Sequence, residues 1–251
     1  MHENKMHQQS CFVTLTYNKD SLPDFGTLVP YHLQAFHKRL HNRLLDKRGY
    51  GIRYYGCGEY GDLNKRPHYH SLVFGYDFAD KKFYSSNARG EHVYTSEELN
   101  SLWHDNGLPL GDCKVGALTF ESAAYVARYC TKKVGGKDKE EGHYEVYNAD
   151  GVVAERVPEF AHMSRRPGIG ATYYAKYGHE IRTHDNVIVN GKAVPSVRFY
   201  DKLGEAVDSE RMKVLKFRRR ASVDPKEQLV DRRRTKEILR HKMFKMKERP
   251  L

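Results

Sequence analysis

The sequence is poor in the residues that staple a fold or anchor it to a membrane. Among 251 residues there are four cysteines and one tryptophan. Cys11, Cys57, Cys113 and Cys130 lie far apart with no CxxC pair, so zinc-finger spacing is absent and a disulfide framework is not expected. They read as reduced core or strand residues of an intracellular protein. No stretch approaches the roughly 20 apolar residues that a membrane-crossing helix requires. Residues 1–10, MHENKMHQQS, contain no apolar leader-like run. The expectation is a cytoplasmic protein with no membrane partner. There is no GxxxxGK[ST] phosphate loop, no internal repeat and no low-complexity linker, so neither a nucleotide-driven motor nor a solenoid is indicated.

Positive charge is abundant, and it is unevenly placed. The formal charge is +11, but residues 208–251 hold 16 Lys/Arg against 7 Asp/Glu, which leaves only +2 for residues 1–207. The expected organisation is therefore one compact domain over 1–207 and a basic helical tail over 208–251. Like charges this dense repel one another unless an anion neutralises them. That points to backbone phosphates as partners of KFRRR, with Arg218, Arg219 and Arg220, although a solvated charged helix is the plainer alternative.

The pattern along the chain mixes both periodicities. CFVTLTYN (11–18) alternates like an internal strand, and Pro30 opens a helix whose Leu33, Phe36, Leu40 and Leu44 recur on one face up to a stop at Gly49. IRYYGCGEYG (52–61) and RPHYHSLVFGY (66–76) predict a hairpin across the turn DLNK, after which 77–93 reads as loose and charged. A serine-capped helix is expected over 96–107, a strand over 113–120, and a helix over 121–136 with a Gly-Gly stop. An exposed hairpin around 148–151, a helix within 164–181 and a hairpin turning at Asn190-Gly191 complete the reading.

The chemistry centres on RPHYHSLVFG. His68 and His70 are one residue apart in a strand-like run, so both imidazoles face one side of a sheet. Paired imidazoles can bind a divalent cation, but a bare HxH is more often a pair of exposed or core histidines. Glu59 changes the weighing, because the hairpin folds it back beside them. Two histidines and a carboxylate make an open metal site, whereas a surface ion pair of Glu59 with Arg53 or Lys65 is the other reading. Further on, Tyr125 and Tyr129, with Lys132 and Lys133, share one face of the predicted helix. A phenol needs a nearby cation or an activated leaving group to act as a nucleophile at neutral pH. The alternative is an aromatic stripe on the core with lysines at its edge.

Taken in order, VTLTY (13–17), GCGEYG…RPHYHSLVFG (56–75) and YVARYCTKK (125–133) resemble the three motifs of HUH endonucleases of the replication-initiator class. His68-Tyr69-His70 matches His-hydrophobe-His, and Tyr125, Tyr129 and Lys132 match YxxxYxxK. The downstream MSRRPGIGATYY (163–174) and NGK…P…RFYDKL (190–203) extend the similarity to the replication initiators of microviruses, especially the gokushovirus group. The tyrosines follow the histidine strand, as in replication initiators, whereas conjugative relaxases carry theirs near the N-terminus.

The resemblance implies an α+β fold, a central antiparallel sheet of about five strands with flanking helices. It implies that Glu59, His68 and His70 hold Mg²⁺ or Mn²⁺. It further implies that a tyrosine attacks a phosphate of a single-stranded DNA origin, giving a 5′-phosphotyrosine link and a 3′-OH for a host polymerase, with a host replication helicase as a further partner. The expected setting is the cytoplasm of a bacterial host. Arg165 and Arg166 are candidate phosphate contacts, and Tyr54, Tyr55 and Tyr69 candidate stacking platforms for bases, though each is equally an ordinary turn or strand residue. A non-catalytic single-stranded nucleic-acid-binding protein is the competing reading. It predicts neither a covalent adduct nor metal dependence.

Overall fold

The computed structural model describes residues 1–61, 64–87, 90–129, 142–147 and 150–247. The chain divides into two compact units, Met1–Gly170 and Ala171–Leu251. This division falls upstream of the change in charge near residue 207.

The first unit is built on a sheet of seven strands, every pairing antiparallel, rather than the expected five. In chain order its elements are β1 (Ser10–Thr16), α1 (Pro30–Arg48), β2 (Arg53–Tyr60), β3 (Pro67–Phe74), β4 (Lys82–Ser86), β5 (His92–Thr95) and α2 (Glu97–Leu102). There follow β6 (His104–Asp105), β7 (Leu108–Pro109), β8 (Cys113–Ala117), α3 (Phe120–Tyr129), β9 (Glu145–Tyr147), β10 (Val153–Glu155) and β11 (Phe160–Met163). The strand order is β11-β2-β3-β1-β8-β5-β4. Two departures from the sequence expectation have a physical origin. Residues 77–93, read as loose, contain β4 and enter β5, because an edge hairpin needs no continuous apolar run. The helix expected over 96–107 stops at Leu102, where Asn106 and Gly107 take positive φ (47° and 82°) and turn a short β6–β7 hairpin. An Asn-Gly pair suits such a turn, since both residues tolerate the left-handed region. The helix expected over 121–136 is α3 as far as Tyr129, and 130–136 lie outside the described residues.

Period-two alternation gives the sheet two unlike faces. On β1, Cys11, Val13 and Leu15 are fully buried against Leu33, Phe36 and Leu40 of α1 and Trp103, whereas Phe12, Thr14 and Thr16 point the other way and are only partly covered. Helix α1 begins with Pro30 in its first turn and ends at Gly49, whose φ of 75° lets its N–H bond Leu45 O at 2.8 Å. The opposite face is closed over a smaller apolar patch, in which Val126 of α3 packs with Cys57, Leu72 and Phe74. Helix α3 starts at a reciprocal cap: Thr119 N–H donates to Ser122 Oγ (2.9 Å) and Ser122 N–H to Thr119 Oγ1 (3.1 Å). Cys11, Cys57 and Cys113 are buried thiols, as expected; Cys130 lies outside the described residues.

The second unit comprises α4 (Ala171–His184), the hairpin β12 (Asn186–Val189) and β13 (Lys192–Pro195), α5 (Arg198–Val207), α6 (Ser209–Ala221) and α7 (Val230–Lys247). The hairpin turns at Asn190-Gly191 as read from the sequence, both with positive φ. Tyr173, Tyr174, Ile181, Tyr200, Met212 and Leu215 are buried, so α6, although basic, contributes to this unit's core. Its start is capped by Asp208, which accepts from Arg211 N–H at 2.9 Å. Helix α7 presents Ile238, Leu239, Met243 and Met246 to solvent along with its arginines and lysines. Among the described residues no helix is long and apolar enough to cross a membrane.

Candidate active site

Three adjacent strands bring the candidate residues together. The β2–β3 register sets Glu59 opposite His68 and Cys57 opposite His70, and the β1–β3 register sets Thr14 opposite His70 and Thr16 opposite His68. Directly paired residues in an antiparallel sheet share a face. Glu59, His68, His70, Thr14 and Thr16 therefore line one surface, the one that α3 partly covers.

Within this surface His70 is held on every side. Its Nε2 lies 2.9 Å from Glu59 Oε1 and its Nδ1 lies 3.0 Å from Thr14 Oγ1. Phe12 stacks on the imidazole with centroids 5.5 Å apart and planes within 8°. Tyr125, reaching in from α3, meets His70 edge-on at 5.2 Å and donates its hydroxyl to Glu59 Oε1 at 3.3 Å. Glu59 and His70 are 4% and 6% exposed, so these bonds are made in a largely dehydrated setting that strengthens electrostatic interactions. Burial, reinforced by His70, lowers the pKa of His68 against the opposing pull of Glu59, which favours the neutral ring.

Glu59 also bears on whether a cation fits here. Its second oxygen, Oε2, is buried and has no hydrogen-bond partner. Leaving a buried acceptor unsatisfied costs about 1–3 kcal/mol, more when it is charged, so such a group calls for a partner. Two imidazoles and this carboxylate are a donor set that suits a divalent ion with open coordination positions. Against this, no group of three or more His, Cys, Asp or Glu side chains converges as a metal cage among the described residues. The reason is visible in the geometry: Glu59 Oε1 and His70 Nε2 bond to each other. The orphaned Oε2 and the donor chemistry weigh more here, because a short side-chain rotation separates that pair whereas the sheet register fixes which residues can meet.

The remaining candidates fall in different places. Tyr129 ends α3, and Lys132 and Lys133 lie outside the described residues. Arg165 and Arg166 are exposed in the loop after β11. Arg218 and Arg220 are exposed on α6, but Arg219 turns inward. Its Nε is 2.8 Å from Asp185 and its Nη1 is 2.7 Å from Asp201, so its guanidinium is committed within the second unit and holds Asp201 below the usual carboxylate range. Arg53, the suggested ion partner of Glu59, instead binds Glu3 at 2.5 Å. Two of the three candidate stacking tyrosines are otherwise engaged. Tyr69 is fully buried on the α1 face and shares a 2.8 Å hydroxyl bond with Tyr17, and Tyr54 stacks on His37 at 3.7 Å. Thr14 and Phe12 are site residues that sequence reasoning did not select. Their signal was the alternation of β1, which shows the face but not the neighbouring strand.

An antiparallel sheet carrying a buried His–Glu pair, with a helix-borne tyrosine hydroxyl bonded to that glutamate, defines an α+β protein whose most elaborate polar cluster lies on the sheet face beneath α3. Residues 10–134, which contain this cluster, match the model of the ORF2 family of replication-associated proteins, and the chain belongs to that family. It is 33% identical over 205 residues to replication-associated protein VP4 of Bdellovibrio phage phiMH2K, covering 79% of this chain and 59% of that protein. It is 35% identical over 185 residues to replication-associated protein ORF2 of Spiroplasma virus 4, with 71% and 51% covered, and 27% identical over 213 residues to replication-associated protein ORF4 of Chlamydia phage 1, with 83% and 49% covered. The chain thus spans about half to three-fifths of the length of these relatives. No solved structure matches it.

Proposed function

We propose that this chain is a phage replication initiator with an HUH-type site, which nicks single-stranded DNA at an origin by tyrosine attack on a phosphate. The observation that carries this reading is the contact set of Tyr125, Glu59 and His70 on one sheet face, inside the segment shared with replication-associated proteins. In the reaction the tyrosine oxygen bonds to phosphorus and the P–O3′ bond breaks. The phenolic proton is given up, the departing 3′ oxygen takes one, and a 5′-phosphotyrosine is left. The broken phosphodiester's energy is kept in that link, so rejoining needs no ATP.

Each residue has a definable task. Glu59 Oε1 accepts from the Tyr125 hydroxyl and so orients the nucleophile toward the sheet face. Thr14 and Phe12 hold the His70 ring in one orientation. Glu59, His68 and His70 would hold Mg²⁺ or Mn²⁺, which when bound supplies polarisation of the phosphate and offsets charge in the transition state. Tyr129 is assigned the second cut that closes the circle, and Lys132 the cation that favours phenolate. A host polymerase would extend the 3′-OH with a host helicase opening the duplex, in the bacterial cytoplasm. Exposed Arg165, Arg166, Arg218 and Arg220 are assigned to backbone phosphates.

The test is incubation of the full chain with labelled single strands from the phage origin region and Mn²⁺, followed by a denaturing gel. A protein-DNA adduct that requires the metal and vanishes in Tyr125→Phe/Tyr129→Phe is the expected result. Tight binding without any adduct across the genome's segments would replace this reading by that of a non-catalytic binding protein.

A further inference from the structure

The sheet face that bears Glu59 and the histidines does not end at β1. The register carries on from His70 through Thr14 to Lys114 of β8, so Lys114 stands on the same face two strands away. Neighbouring strands are about 4.8 Å apart, which places its backbone roughly 10 Å from that of His70. What Lys114 touches is an aromatic ring: its Nζ lies 3.6 Å from the centroid of Tyr84, on the edge strand β4. Tyr84 is 59% exposed. One side of its ring therefore carries a cation while much of the rest is open to solvent, at the rim of the surface that holds the cluster.

A cation beside an open aromatic ring is the pair that single-stranded nucleic acid uses, the ammonium taking a backbone phosphate and the ring stacking an unpaired base. A duplex has no unpaired base to offer. Burial of Tyr69 and the stacking of Tyr54 on His37 also remove two other tyrosines from this task. We infer that Lys114 and Tyr84 form a subsite for the single strand flanking the scissile phosphate, leading it from the His–Glu cluster across β1 and β8 to the β4 edge. Asp112, exposed and two residues before Lys114, bounds the subsite on the side away from that path. The inference rests on the nicking reading only for the position of the scissile phosphate; the strand contact itself is independent of cutting.

The test is fluorescence anisotropy of a labelled origin-region single strand with the full chain carrying Tyr125→Phe, in EDTA, across a series of salt concentrations. Lys114→Gln, which keeps most of the side-chain stem, is expected to weaken binding and to flatten the slope of log affinity against log salt by about 0.7, the value for one phosphate on a single strand. Tyr84→Leu is expected to weaken binding by about 10-fold with the slope unchanged, and Tyr84→Phe to bind like the parent. Unchanged affinity in both Lys114→Gln and Tyr84→Leu, or an unchanged slope in Lys114→Gln, overturns the subsite. The wild-type chain assayed for adduct alongside reports on cutting separately. If it forms none while the variants bind as expected, the nicking reading fails and the subsite stands.

Discussion

The two faces of the sheet share the same strands and have opposite characters. On β3, Tyr69, Ser71 and Val73 are fully buried on the α1 face, while His68, His70, Leu72 and Phe74 take the other side. The α1 face is sealed by α1, α2 and Trp103 into one large core. The site face is closed only over a short apolar patch by α3 and leaves Thr14, Thr16, His68 and Lys114 partly open. The lesson is a division of labour at single-residue intervals. One parity of each strand stabilises the fold, and the other is released to carry polar chemistry on a rigid support.

Substitutions at opposite parities should separate these roles. The largest effect is expected at Tyr125→Phe combined with Tyr129→Phe. This should abolish adduct formation in a denaturing gel while the Tyr125→Phe single change shifts the urea midpoint little, since only a 3.3 Å hydroxyl bond is lost there. The mirror image is Phe36→Ala on the α1 face, where a fully buried ring is removed. A loss of about 3–5 kcal/mol in urea unfolding is expected; a loss under about 1 kcal/mol would show that the α1 face is not the main source of stability.

Acid should act on the end of the site face where Glu3 meets Arg53. Burial opposes ionisation of Glu3, but bonds from His7, the Gly170 amide and Arg53 override it and hold its pKa at about 2, down from 4.5. The folded value is the depressed one, so the stabilisation is fully present above 4.5 and is lost as pH falls toward 2. Comparing unfolding of the wild type with Glu3→Gln across this window should show the difference closing toward low pH; a constant difference would count against it.

Smaller still is Thr14→Val, which removes the bond to His70 Nδ1 and keeps the side chain's shape. Losses on the order of 10-fold are typical for the outer partner of a ligating histidine. A reduced rate of adduct formation with unchanged stability is expected, and an unchanged rate would remove Thr14 from the site. In the second unit the inward and outward arginines offer the same contrast on a smaller scale. Arg219→Ala should destabilise it, because Asp185 and Asp201 lose their partner. Arg218→Ala, at an exposed position, should stay within about 0.5 kcal/mol in thermal unfolding.

Much of this was legible along the chain. Alternation in β1 and the spacing of Leu33, Phe36, Leu40 and Leu44 gave the local elements, and the short link between β2 and β3 was enough to place Glu59 opposite His68. The β4–β5 hairpin was not legible, since an exposed edge such as Lys82-Phe83-Tyr84 carries little apolar signal. Nor was the early end of α2, where an Asn-Gly turn prevailed over a helical period.

What the sequence by itself determined was therefore local: which residues face the same way, and which chemistry the histidines, Glu59 and Tyr125 could share. Only the tertiary structure decided that β1 lies between β3 and β8, which makes Thr14 the neighbour of His70 and sets Lys114 beside Tyr84. It also decided that Arg219 turns inward among its exposed neighbours. The physical reason is common to these cases: such contacts join residues far apart in the chain, and their selection depends on how strands pair and helices pack, which no window of local periodicity contains.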